Sequence, residues 1–202
     1  MLGRPSKKIF GLGKTMPSLE TSRLSIGDLV ISSKGGKTVP IYDCEQPLVW
    51  KPGPLNATWE PKAFNDPSAT RVSICFNSNP EVEAYLSALD AWVIKAVAAA
   101  PRKYFGVDLT TEQVTERYLS SIKTTQKGYS HLRAKMNISG KNAVRCWDAQ
   151  TKARRGIPEN WLACEIQPSI EIKGIWIMNK DFGLLLECTD ALVSEYMAAC
   201  PF

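Results

Sequence analysis

Residues 169–193 read SIEIKGIWIMNKDFGLLLECTDALV, and this stretch decides the fold. It parses as two strands around the polar turn Asn179-Lys180-Asp181. Ile170, Ile172, Trp176 and Met178 share one period-two register, and Phe182, Leu184, Leu186 and Cys188 share the matching register of the second strand. Ile175, Ile177 and Leu185 make both faces partly apolar, which predicts a central hairpin or one whose second face is covered. On this pattern Trp176 is a structural residue.

Upstream, TVPIYDCEQPLVW, LNATWEP and ATRVSICF give three short β-type segments broken by KPGP and FNDPS. A strong helix follows. Asn79 and Pro80 form a cap and first turn, and Val82, Tyr85, Leu86, Leu89, Val93 and Val97 recur at helical spacing, with Trp92 a structural residue of the same helix. A second helix is expected from Thr111 to about Lys123, because Thr110 and Gln113 have capping-box spacing and Val114, Tyr118, Leu119 and Ile122 form a stripe. HLRAKMNI then alternates Leu132, Ala134, Met136 and Ile138 with Arg133, Lys135 and Asn137, and AVRCWDAQ is a further strand. The sum is a mainly β (α+β) chain, a small barrel or curved sheet carrying one or two inserted helices.

Charge is segregated along this chain. From Arg117 to Arg145 there are seven basic residues and no acidic one, whereas Gly156 to Phe202 holds seven acids against two lysines. Such a field draws a polyanion to one surface. The six cysteines are scattered without a CxxC pair, and there is one histidine, so neither a zinc ribbon nor a histidine metal site follows. Dispersed cysteines and an N-terminus without a secretory h-region point to an intracellular protein. GLGKT at Gly11 lacks the strand and spacing of a phosphate loop, and Asp43, Glu45, Glu60 and Asp66 are scattered in turns rather than gathered for two-metal chemistry. No catalytic residue, metal or cofactor is expected.

What remains is binding. Single-strand binding asks for cations that follow the phosphates and aromatic faces on which bases stack. Lys123, Lys127, Tyr129, Arg133, Lys135, Lys141, Arg145 and Trp147 interleave both, and Arg154 and Arg155 follow in a charged loop. If Arg145 lies on a strand paired beside Arg133 and Lys135, it extends the same groove. Trp147 shares the alternation of Arg145 and either offers its ring there or packs under a loop. Trp50 and Trp59 flank KPGPLNAT and either form one wall of a cleft or close over the core. The predicted helices are not strongly basic, so sequence-specific duplex reading is not expected.

Three short strands, the helix NPEVEAYLSALDAWV, a second helix ending ERYLSSI, the strand HLRAKM and a terminal IKGIWIMNKDFGLLLECTDALV together resemble the single-stranded DNA-binding proteins of T7-like phages and large eukaryotic DNA viruses. The resemblance covers about residues 39 to 193, and its most distinctive part is Gly174-Ile175-Trp176 followed by Phe182-Gly183. It implies an OB-fold-like barrel, placed over residues 39–202 behind an arm of residues 1–38 that its Gly, Ser, Lys and Pro content marks as basic and partly flexible. It also implies non-specific coating of single-stranded DNA during replication, recombination and repair, as a homodimer and in contact with polymerase or helicase, at a host nuclear or cytoplasmic replication site. RNA stays open beside DNA, since stacking and phosphate contact tolerate either sugar. The chain departs from that family in ending SEYMAACPF rather than in an acidic tail. The alternative is a viral structural or nucleocapsid-associated protein that tethers nucleic acid through its basic surface.

Overall fold

The computed structural model describes residues 19–33, 35–63, 66 and 68–195. Residues 1–18 of the expected arm and the apolar end from residue 196 lie outside the described residues. The chain runs through β1 (Leu24–Ile26), β2 (Val30–Ile31), β3 (Lys37–Val39), β4 (Ile41–Asp43), β5 (Gln46–Trp50), β6 (Leu55–Lys62) and β7 (Arg71–Asn77). The helices α1 (Pro80–Ala98), α2 (Pro101–Phe105) and α3 (Thr111–Glu116) follow. It ends with β8 (Ile122–Thr124), β9 (Ser130–Asn137), β10 (Arg145–Asp148), β11 (Arg154–Arg155), β12 (Cys164–Met178) and β13 (Asp181–Glu195).

Five of these strands close on themselves. β12 pairs with β6, β6 with β7, β7 with β9, β9 with β13, and β13 returns to β12. Every pair is antiparallel except β9 with β13. This ring is an OB-fold-like barrel whose helices are inserted between its second and third strands. Ile74, Phe76, Leu132, Met136, Ile166, Ile170, Ile172 and Phe182 fill its interior. The buried stripe of α1, Val82, Leu86, Leu89, Val93 and Val97, joins the same hydrophobic cluster. Its cap is as the sequence requires: Asn79 accepts a 2.9 Å hydrogen bond from the Val82 N–H, and Pro80 opens the helix.

The hairpin that decides the fold is present, with one change of phase. Ile170 and Ile172 point inward, but the register shifts between Ile172 and Gly174, so Ile175 and Ile177 are the next inward residues and Trp176 and Met178 face out. Gly174 sits at φ +144°, and a Cβ there would lie 2.1 Å from the Val39 carbonyl oxygen, where the β3–β4 corner crosses β12. A strict period-two reading therefore assigns Trp176 to the wrong face.

Two further boundaries differ from the sequence reading. α3 has its capping box, but the helix stops at Glu116 instead of reaching Lys123. The Leu119 N–H donates to the Phe182 carbonyl at 2.8 Å, and Tyr118 packs edge-to-face on the Phe182 ring, so pairing with β13 overrides the helical stripe. Part of the expected arm is also folded. β1 pairs with β4, β2 with β3, and β3 with β12. Among the described residues no helix is long and apolar enough to cross a membrane.

Candidate nucleic-acid interface

Outside the barrel, between β9, the Leu119–Ser121 linker and the β12–β13 tip, lies a groove of about 940 Å³. Lys37, Lys123, Arg133 and Lys135 line it, with Trp176 and Met178, and no carboxylate stands among its lining residues. Arg133 and Lys135 project from β9 because the strand alternates, with Leu132, Ala134 and Met136 inside, as the sequence predicts. Both cations reach the same hydroxyl. Arg133 Nη2 and Lys135 Nζ each donate to Ser73 Oγ at 3.1 Å.

Two cations on one neutral acceptor repel each other. Burial first, then Arg133 and Arg71, lowers the Lys135 ammonium below its ordinary value. Lys37, Lys123, Arg133 and Lys135 make no ion pair with another described residue. An anion bound here would relieve that repulsion.

The walls are held in place by side chains from other elements. Asp90 on α1 accepts hydrogen bonds from the Tyr118 hydroxyl and, at 2.8 Å, from Ser120 Oγ. Its carboxyl is raised by burial, against the pull of those two bonds and of Lys123. On the opposite side the Trp176 indole lies against Gly183, where a Cβ would come within 3.1 Å of the ring and 2.5 Å of the Leu119 carbonyl oxygen. Trp176 is thus half-buried, backed by glycine and turned to the groove. Met178 beside it is 65% exposed.

The other sequence-predicted residues separate into distinct places. Tyr129 is 70% exposed at the β8–β9 turn with exposed Lys127, while exposed Lys141 follows the opposite end of β9. Arg145 does not extend the groove, because β10 pairs with β13 and β11 rather than with β9. There Arg145 is ion-paired to Asp190 at 2.6 Å, the Trp147 indole N–H donates to Asp190 at 3.1 Å, and Arg155 is ion-paired to Glu195. The Arg154 guanidinium covers the Trp147 ring at 5.3 Å. Trp147 is therefore packed rather than free.

Trp50 is a correction. It is 3% exposed and stacks in parallel on Tyr85 of α1 at 4.6 Å, so the KPGPLNAT reading that closes over the core holds for this ring. Trp59 keeps 38% of its surface exposed, on the outer side of β6. Three of the four carboxylates weighed for metal chemistry have other partners: Asp43 accepts from Arg23, Glu60 from the Trp161 and Leu162 N–H groups, and Asp66 from Ser68. Sequence reasoning missed Trp176, hidden by the phase shift, and Lys37. The glycine within an otherwise clean strand pattern, Gly174, was the available sign of a bulge.

No protein-family model and no curated protein matches the chain. Its fold is similar to phage single-stranded DNA-binding proteins. The protein of bacteriophage Enc34 in complex with ssDNA is 8% identical with a TM-score of 0.43, covering 92% of this chain and 98% of that one. Bacteriophage T7 gp2.5, a single-stranded DNA-binding protein, is 10% identical with a TM-score of 0.48, covering 77% and 91%. A C-terminal truncation of the Enc34 protein is 10% identical with a TM-score of 0.46, covering 84% and 96%.

Proposed function

We propose that the protein binds single-stranded DNA along this groove without reading its sequence, and so protects single strands exposed in replication, recombination and repair. One observation carries the proposal: Lys37, Lys123, Arg133 and Lys135 face an acid-free cleft beside a partly buried Trp176. The cations supply phosphate contacts, and the indole supplies a stacking surface that any base can use. The groove lining combines cations, an indole and aliphatic side chains, which suits binding by charge and stacking. A coat of this kind works beside polymerase and helicase, and beside further copies of itself.

The test is a titration with oligo-dT, oligo-rU and matched duplex at two salt concentrations, following tryptophan fluorescence. We expect tight, salt-sensitive binding that favours the single strand and quenches tryptophan. Equal affinity for the duplex would remove the groove reading and favour a surface that merely tethers nucleic acid.

A further inference from the structure

Strand register orders the outer face of the barrel from β12 through β13, β9 and β7 to β6. Trp176 on β12 pairs with Gly183 on β13, Leu185 and Glu187 follow on the same face of that strand, and Glu187 pairs with Lys135 on β9, after which Arg133 leads to Cys75 on β7 and Trp59 on β6. Counted through β13, β9 and β7 with strands about 4.8 Å apart, four steps separate Trp176 from Trp59, about 19 Å across the strands before any offset along them. The phosphate-binding cations lie between them.

At the far end, Trp59 meets His131 edge-to-face, with ring centroids 4.9 Å apart and planes at 67°. Cys75, buried between Trp59 and Arg133 in register, is small enough to let both side chains lie close over it. His131 is the register partner of Lys123 on β8 and of Asn77 on β7. Its Nδ1 is shielded from water and has no hydrogen-bond partner among the described residues. The rings elsewhere are engaged face-on: Trp50 by Tyr85, Trp147 by Arg154. Trp59 meets His131 with inclined planes and keeps 38% of its surface exposed.

We propose that Trp59 and His131 form a second base-stacking subsite, which receives the bases of a strand as it leaves Arg133 and Lys123. The proposal rests on the single-strand reading of the groove. Together Trp176 and Trp59 make a two-platform track, with cations in the middle and a stacking surface at each end.

His131 gives the subsite a signature that a merely structural ring pair would lack. Burial, then Arg133 and Lys123, lowers its imidazole below the ordinary histidine value, so the free protein holds it neutral at pH 7. Those two cations are the charged groups that act on it; Trp59 and Asn77 face it with neutral side chains. Phosphates on Arg133 and Lys123 offset their repulsion, so bound His131 takes up a proton more readily. By linkage, affinity for the strand rises as pH falls from 7.5 to 5.5.

The experiment titrates the full chain with dT oligomers of increasing length at pH 7.5 and 5.5, for the unmodified protein and for His131→Gln, Trp59→Ala, Trp59→Phe and Arg133→Glu. The unmodified protein should bind about fivefold more tightly at the lower pH. His131→Gln should lose that gain while staying within about twofold at pH 7.5. Because Asp90 also titrates above the ordinary carboxylate range and acts on Lys123, only the part of the pH gain that His131→Gln removes counts for the subsite. Trp59→Ala should weaken long oligomers about tenfold and the shortest ones little, and Trp59→Phe, which keeps a ring and the fold, should restore most of that loss. A pH gain that survives His131→Gln, with the length dependence of Trp59→Phe and Trp59→Ala unchanged, overturns the subsite. Arg133→Glu separates the two readings, since binding that survives it removes the groove itself.

Discussion

The groove and the β10–β11 patch have the same ingredients, three or four cations and a tryptophan, yet they differ in what stands next to them. β13 carries Glu187, Asp190 and Glu195 outward along its length. Asp190 meets Arg145 and Trp147, Glu195 meets Arg155, and Glu187 accepts from Arg71 and Asn137. Further toward the tip, the same strand offers only Leu184, Leu185 and Leu186 to the groove, and there Lys123, Arg133 and Lys135 make no ion pair with another described residue. The charge of a segment belongs to its sequence, but the charge of a surface belongs to the strands that pair across it.

The largest expected effect divides these two regions. Arg133→Glu with Lys135→Glu should lower affinity for oligo-dT about 100-fold at low salt and reduce the slope of log K against log salt by about two. The paired reversal Arg145→Glu with Arg154→Glu should leave affinity within about threefold, since those cations already have partners. A larger loss from the second pair than from the first would invert the comparison and place DNA on β10–β11.

How much of this was legible depends on whether the information was local. The β9 alternation, the Asn79-Pro80 helix start and the capping box at Thr110 are set by neighbours in sequence, and each appears where the pattern puts it. Trp176 was not legible by counting in twos, because Gly174 shifts the phase of β12 to let the Val39-Pro40 corner pass. The end of α3 depends on Phe182, far along the chain, and the neutralisation of Arg145 depends on a parallel pairing of β10 with β13. Periodicity carries none of that, since strand order is fixed by long-range packing.

Next in size is a tryptophan pair that sharpens the contrast. Trp176→Ala should weaken single-strand binding by about 1–3 kcal/mol, the worth of a stacked base, with little loss of stability. Trp147→Ala should leave binding within about twofold and instead lower Tm, because it leaves packing and a hydrogen bond to Asp190 unmade. Gly183→Ala tests the same wall from behind. Its Cβ would press on the Leu119 carbonyl and the Trp176 ring, so Tm should fall by about 3–6 °C and affinity should fall with it. Thermal melts beside titrations distinguish the three.

The smallest expected effect concerns acid. Burial pushes the Asp190 carboxyl up, but hydrogen bonds from Arg145 and Trp147 and the Arg145 charge outweigh it and hold the group below its ordinary value. A depressed carboxyl stabilises the fold above its unfolded-state value and loses that contribution as pH falls through the folded one, so this share should vanish below about pH 4. Asp190→Asn should therefore lower Tm at pH 7 by about 2–4 °C and narrow the gap to the unmodified protein as the melt is repeated toward pH 3. Single-strand affinity at pH 7 should not fall, because removing this carboxylate leaves the groove cations untouched and frees Arg145. A large drop in affinity would mean that the β10–β11 patch and the groove act as one site, joined along the outer face of β13.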